Sequence, residues 1–184
     1  MPDLLRSLLG LALIWGVTAG TRAEPLVTEG YVNAPVAEVW RVFTTADGLK
    51  IAGVSQADVD LRVGGSVRSR QAAGGALGDD QTLIRDILAY DPERMLALRV
   101  RRAPAGFAHA DALAATWTVI YFTPSGDDMT HVRIVGLGFG DDSGSQAVRR
   151  WAAGADRSTL DAVAKRYWPK CKLCTTEPAT EAVQ

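Results

Sequence analysis

From Asp142 or Ser143 to Tyr167 the chain keeps an unbroken helical spacing, the longest regular stretch in the sequence. On a wheel of about 100° per residue, Val148, Ala152, Ala155, Thr159, Ala162 and Val163 gather on one side. Arg150, Arg157, Asp161 and Ala164 lie opposite, and Trp151, Leu160 and Tyr167 flank the apolar stripe. Trp168-Pro169 ends the segment, because proline disfavours helical geometry in the residue before it. A helix this long with one apolar face needs a broad apolar surface to lie on. Its stripe is also small at the centre, where Ala152, Ala155, Thr159 and Ala162 stand in place of the Leu or Ile that would fill a core. Such a helix either approaches its partner closely or leaves a volume beneath it.

The partner is a sheet. Residues 26–32, 54–63, 66–72, 81–90, 95–102, 113–123 and 129–139 read as strands. Gly64-Gly65 signals a two-residue hairpin, Asp91-Pro92-Glu93-Arg94 a tight turn, and Ala103-Pro104-Ala105-Gly106 a loop. Strands in succession with short connections make an antiparallel meander, not βαβ units. After the first strand, Asn33 or Ala34 caps a helix with Pro35 in its first turn. Val36, Val39, Trp40 and Phe43 give that helix one apolar face, and a second short helix covers about 46–51. The fold class is α+β: an antiparallel sheet of about seven strands, two short helices after the first strand, and a long C-terminal helix.

Composition narrows the function. The 184 residues suit one domain, and 47% hydrophobic content supports a sizeable core. With a net charge of -1 there is no basic excess to neutralise phosphates, which argues against nucleic-acid binding and against attraction to anionic membranes. At the N-terminus, Arg6 precedes an apolar run from Leu8 to Val17, then Thr21-Arg22-Ala23. A basic start, a short apolar run and a small-x-Ala end are the marks of a secretory signal peptide cleaved after Ala23. The run falls short of the roughly 20 residues of a membrane-spanning helix, so no stable insertion is expected. No cysteine follows it and no Arg-Arg pair precedes it, which favours the general secretion route and a periplasmic or secreted product. The expected layout is 1–23 signal peptide, 24–170 domain and 171–184 tail.

The tail holds the two cysteines, Cys171 and Cys174. In an oxidising compartment a local disulfide is the plain reading. Redox chemistry and metal binding are alternatives. The pair follows a helix C-terminus, however, where the dipole does not favour a thiolate, and the further ligands a zinc site needs could come only from His109 and His131, both distant in sequence.

The order of strand, two short helices, six strands and long helix resembles the helix-grip fold of the START/Bet v 1-like superfamily. Local stretches resemble the SRPBCC families grouped with the C-terminal domain of the Hsp90 ATPase activator. These are Ala34-Pro35-Val36-Ala37-Glu38-Val39-Trp40, Asp60-Leu61-Arg62-Val63-Gly64-Gly65, Asp91-Pro92-Glu93-Arg94-Met95-Leu96, and Thr130-His131-Val132-Arg133-Ile134 with Gly136-x-Gly138 after it. Together they span residues 26–168. The resemblance implies a curved sheet gripping the last helix around a deep apolar cavity. Across the superfamily such cavities serve lipid carriage, sensing, cyclisation or protein contacts, so fold does not fix function. An export signal and a C-x-x-C depart from the family norm, and export argues against co-chaperone work on an intracellular ATPase.

Alternation indicates which residues face the cavity. Leu96, Leu98 and Val100 oppose Arg99 and Arg101; Val132, Ile134 and Gly136 oppose His131 and Arg133. In 115–123 both faces are apolar, and the family pattern turns Thr118, Ile120 and Phe122 inward, leaving Trp117, Val119 and Tyr121 outside. With Trp40, Trp151, Ala155 and Thr159, the inward residues Leu98, Val100, Thr118, Ile120, Phe122, Val132 and Ile134 form the candidate ligand-binding set. The outer set is either a partner surface, such as a homodimer contact, or is covered by the stems of Arg99, Arg101 and Arg133. Asp86 can face either way; inward, it would need a partner such as Arg70.

No nucleophile-elbow, zinc-protease or phosphate-loop motif occurs, and the pattern assigns no cofactor and no metal. His109, in a loop near the cavity mouth, is either a general base or a solvated histidine; His131 faces outward. The functional reading is an exported, non-catalytic binder of a small apolar molecule or lipid. The alternatives are a cyclase- or hydrolase-like enzyme using His109 or a cavity Asp and Tyr, and an interaction module acting through the outer sheet face. Expressed in an exporting bacterial host, the protein is expected to begin at Glu24 on N-terminal sequencing. Cys171 and Cys174 are expected to resist alkylation until reduced; an intact leader or freely alkylated thiols would contradict the export reading.

Overall fold

Seven antiparallel strands form one sheet in the order β1-β7-β6-β5-β4-β3-β2. The strands are β1 (Leu26–Val32), β2 (Gln56–Val59), β3 (Ser66–Arg70), β4 (Leu83–Asp91), β5 (Met95–Arg102), β6 (Trp117–Pro124) and β7 (Thr130–Leu137). The chain runs β2 to β7 as a meander, and β1 closes the far edge by pairing with β7, Leu26 opposite Gly136 and Val32 opposite Thr130. Helices α1 (Val36–Thr44) and α2 (Ala46–Ile51) join β1 to β2, α3 (Ala110–Ala114) lies between β5 and β6, and α4 (Ser143–Tyr167) follows β7. The computed structural model describes residues 24–168. The expected signal peptide and the whole of the expected tail, with Cys171 and Cys174, lie outside the described residues.

The long helix starts and stops where its chemistry requires. The Asp142 side chain accepts from the Ser145 N–H at 2.9 Å, satisfying one of the unpaired donors of the first turn. Its apolar stripe is buried at Val148, Leu160, Val163 and Tyr167, while Arg150, Arg157 and Asp161 are exposed. At the other end of the core, α1 buries Val39, Trp40, Val42 and Phe43. Phe122 of β6 receives two of those rings, Trp40 edge-on and Phe43, each with centroids 5.4 Å away. Aromatic pairs at this spacing add to area burial.

Three local expectations need correction. The β2–β3 connection is not a two-residue hairpin. Val59 pairs with Val67, the six residues 60–65 turn between them, and Gly64 and Gly65 bond to Ile87 of β4 through their backbones at 2.9 Å. Gly65 is required there for space, since a Cβ would lie 2.1 Å from the Asp60 carbonyl oxygen. Second, Pro35 is the N-cap of α1, its carbonyl accepting from the Glu38 and Val39 N–H groups. Third, the segment 113–123 does not begin as a strand. Residues 110–114 form α3 after the left-handed His109 (φ 60), with Leu113 buried as its anchor, and β6 starts at Trp117.

β4 contains register shifts against β5 between Ile84 and Arg85 and between Ile87 and Ala89. They set the parity of this strand: Arg85 and Ile87 point to the concave side, while Asp86 and Leu88 point outward. Asp86 forms its ion pair with Arg101 on the outer face, which settles the open orientation of that residue. Arg70 pairs instead with Asp79, Nη2 to Oδ2 at 3.0 Å.

We expect Phe122→Ala to lose about 3–5 kcal/mol of unfolding free energy in urea melts, because Phe122 is 3% exposed between two rings. Its neighbour Tyr121, 41% exposed, should lose far less on the same change. Equal losses at the two positions would contradict the assigned parity.

Candidate functional site

Leu160 of α4 rests on β1 where Gly30 has no side chain; a Cβ there would lie 3.8 Å from Leu160 Cδ1. The helix therefore sits close to the sheet at this edge. Across β3 to β7 it presents Ala152, Ala155 and Thr159, and these short side chains leave a cavity of about 310 Å³. That volume is at the lower end of small-molecule pockets, roughly 300–1,000 Å³. The two outcomes foreseen for the small stripe thus occur at different places: close approach over β1, a hollow elsewhere.

The floor is the concave sheet face: Leu98 and Val100 of β5, Thr118 and Ile120 of β6, Ile134 and Gly136 of β7. Ser69 and Arg70 of β3 and Leu83 and Arg85 of β4 close one side. The segment between β5 and α3 contributes Pro104 and Phe107. It is tied to the β3–β4 connection by the Ala105 N–H donating to the Asp80 carbonyl at 2.7 Å and by Arg102 Nη2 donating to the Asp79 carbonyl at 2.6 Å. Phe107 meets Trp151 of α4 edge to face, centroids 4.8 Å apart. Trp151 is 46% exposed while lining the cavity, so this pair marks the mouth.

Of the candidate set, Leu98, Val100, Thr118, Ile120, Ile134, Trp151, Ala155 and Thr159 line the cavity. Trp40, Phe122 and Val132 do not: they belong to the filled core under α1. The alternation was right for Phe122 and Val132, which are inward and buried. What alternation does not convey is that α1 covers that end of the concave face and plugs it with its own aromatics. By register Trp117, Val119 and Tyr121 share the outer face, and Trp117, at the strand's start, also borders the cavity. His109 is exposed and outside the cavity wall, beside Gly144 at the start of α4. His131 is on the outer face, 3.6 Å from Glu29 and stacked near Tyr31. Among the described residues no cluster of three or more His, Cys, Asp or Glu could hold a metal ion.

Two wall residues were not anticipated. Arg85 and Asp86 are consecutive in a strand, and successive side chains face opposite ways, so one charge had to enter the cavity. Asp156 lies four residues after Ala152 and three before Thr159, on the stripe itself. Alternation alone leaves open which of Arg85 and Asp86 turns inward, whereas Asp156 is legible from its spacing on the stripe. Arg70 also lines the wall, 8% exposed, but is committed to Asp79 and the Ala72 carbonyl.

Burial lowers the Arg85 pKa, partly opposed by the charge of Asp156. Burial raises the Asp156 pKa from 3.8 to about 6, with Arg85 pulling it back. Arg85 Nε is buried without a hydrogen-bond partner among the described residues. The cavity is thus a largely apolar chamber holding one guanidinium with an unpartnered Nε and one reluctantly ionised carboxyl.

A profile of the family described as activator of Hsp90 ATPase homolog 1-like protein matches residues 33–165. No curated protein matches the sequence. Among solved structures, protein MLL2253 from Mesorhizobium loti is similar at 18% identity, over 82% of this chain and 100% of that one, with a TM-score of 0.62. An Aha1 dimer from Colwellia psychrerythraea is similar at 12% identity, over 78% and 96%, with a TM-score of 0.60. An Hsp90 activator from Plasmodium falciparum follows at 13% identity, over 76% and 92%, with a TM-score of 0.56. At these identities the likeness establishes the helix-grip architecture.

Because the folded protein resists ionising Asp156, stability is fully present below pH 3.8 and is lost as pH rises through about 6. The penalty above that pH is on the order of 3 kcal/mol. Asp156→Asn is expected to raise unfolding free energy in mildly alkaline buffer and to leave it nearly unchanged in acid. A variant equally displaced at both ends would contradict the burial of this carboxyl.

Proposed function

The chain belongs to the family of activator of Hsp90 ATPase homolog 1-like proteins, and from that premise we propose that it is an exported, non-catalytic binding protein holding a small, mainly apolar molecule beneath α4. Family membership carries an architecture and not an activity. The observation that carries the reading is the cavity itself, about 310 Å³ of space walled by Leu98, Val100, Ile120 and Ile134 and opening at Trp151. A molecule entering there would exchange water-exposed apolar area for contact with these side chains, at about 25 cal/mol per Å². Export is supported by the leader-like sequence of residues 1–23.

Binding is favoured over catalysis because, among the described residues lining the cavity, Asp156 is the one carboxyl and no histidine stands with it. His109 lies outside the wall, and Asp156 has no tyrosine beside it among the lining residues. A second reading, self-association through Trp117, Val119 and Tyr121, has its own support. Tyr121, Tyr31 and Val27 are exposed on the outer sheet face, and the Colwellia relative is described as a dimer.

Organic extraction of the protein purified from its native compartment, followed by mass spectrometry, is expected to release a small apolar compound in stoichiometric amount. Ala155→Leu should abolish that recovery while the protein stays folded, since the larger side chain grows into empty space. Recovery undiminished by Ala155→Leu would place the compound elsewhere and overturn the reading.

A further inference from the structure

Arg85 is the unexplained residue of the cavity. A guanidinium carries five N–H donors in a planar fork, and an unpaired charge in apolar surroundings is costly. Arg85 Nε is enclosed with no hydrogen-bond partner among the described residues. The charge that acts on Arg85 most directly is Asp156, across the same cavity wall.

The other charges near this pair are committed elsewhere. Arg70 of β3 is bound to Asp79. On β1, Glu29 faces outward to Arg133 and His131. On α2, Asp47 and Lys50 pair at the surface, and Asp111 of α3 is exposed. On β5, Arg101 pairs with Asp86, Arg99 is exposed, and Arg102 donates to the Asp79 carbonyl. On α4 itself, Arg157 reaches the Glu29 carbonyl and Asp161 is exposed.

We propose that the occupant is an amphipathic carboxylic acid, its carboxylate received by the Arg85 guanidinium beside Asp156 and its apolar body lying against Leu98, Ile120 and Ile134. This rests on the cavity being a binding site, as argued above. A guanidinium and a carboxylate match in plane and spacing, which gives paired, charge-assisted hydrogen bonds. Asp156 in its neutral form adds an O–H donor to the same carboxylate. A cationic amine would meet Arg85 at close range, and a phosphate dianion would bring two charges to one cation next to an acid. The space, about 310 Å³, equals about ten waters at roughly 30 Å³ each, enough for a chain or a fused ring system of modest size.

The arrangement couples binding to a proton. Asp156 has a pKa of about 6 in the empty cavity, and a second carboxylate beside it raises that value further. Binding above this pH therefore takes up a proton, and affinity for the acid falls as pH rises.

The test is calorimetric titration of the delipidated full chain with decanoate, decanol and decylamine, using wild type, Arg85→Met and Asp156→Asn. We expect decanoate to bind at least about tenfold tighter than decanol, the range of a hydrogen bond to a charged group. Arg85→Met should bring decanoate down to the level of decanol while affecting decanol far less. Heats in buffers of different ionisation enthalpy should show proton uptake by wild type and none by Asp156→Asn. Equal affinity for decanoate and decanol, or preference for decylamine, would overturn the acid assignment and leave the binding site standing. Failure of all three probes to bind would count against the site as well. Should Arg85→Met not fold, the decanoate–decanol ratio and its pH dependence in wild type and Asp156→Asn decide the matter.

Discussion

Leu160 of α4 packs over Gly30 of β1, so one edge of the helix lies directly against the sheet. The rest of the helix then spans a concave surface with only Ala152, Ala155 and Thr159 to reach down. Protein interiors pack at near-crystalline density, and a helix meant to complete such a core would carry longer side chains at those positions. The hollow follows from a helix seated against the sheet at one edge combined with short side chains over the rest.

The concave face is thereby divided. At one end α1 covers it, and Trp40, Phe43 and Phe122 fill the space ring against ring. At the other, the segment from Pro104 to Phe107 closes it loosely and leaves the Phe107–Trp151 contact at the surface. The chain thus carries a filled half and an open half under one sheet. The charges fall in the open half, where Arg85 and Asp156 are partly buried on the cavity wall and Arg85 Nε has no hydrogen-bond partner among the described residues.

Much of this was legible in the sequence. The order of elements, the limits of β1, β5 and α4, and the inward parity of β5, β6 and β7 all follow from period and from turn residues. The failures share a cause. Gly64-Gly65 looks like a hairpin by composition, but its backbone is used by Ile87 across the sheet, a long-range pairing that local signals do not carry. Trp40, Phe122 and Val132 were rightly placed inside, yet whether an inward residue meets a void or a neighbour depends on which helix lies over it. Asp156 follows from its spacing on the α4 stripe, but Arg85 turns inward by a parity that the register shifts of β4 decide and that alternation leaves open.

The central claim is that the space under α4 accepts an apolar guest. The direct measurement is intermolecular nuclear Overhauser contact between a neutral apolar guest, naphthalene, and the methyl groups of the protein. Contacts to Leu98, Val100, Ile120 and Ile134 are what the account requires. Contacts confined to Val119 and the outer sheet face, with the methyl groups of those four residues silent, would contradict it.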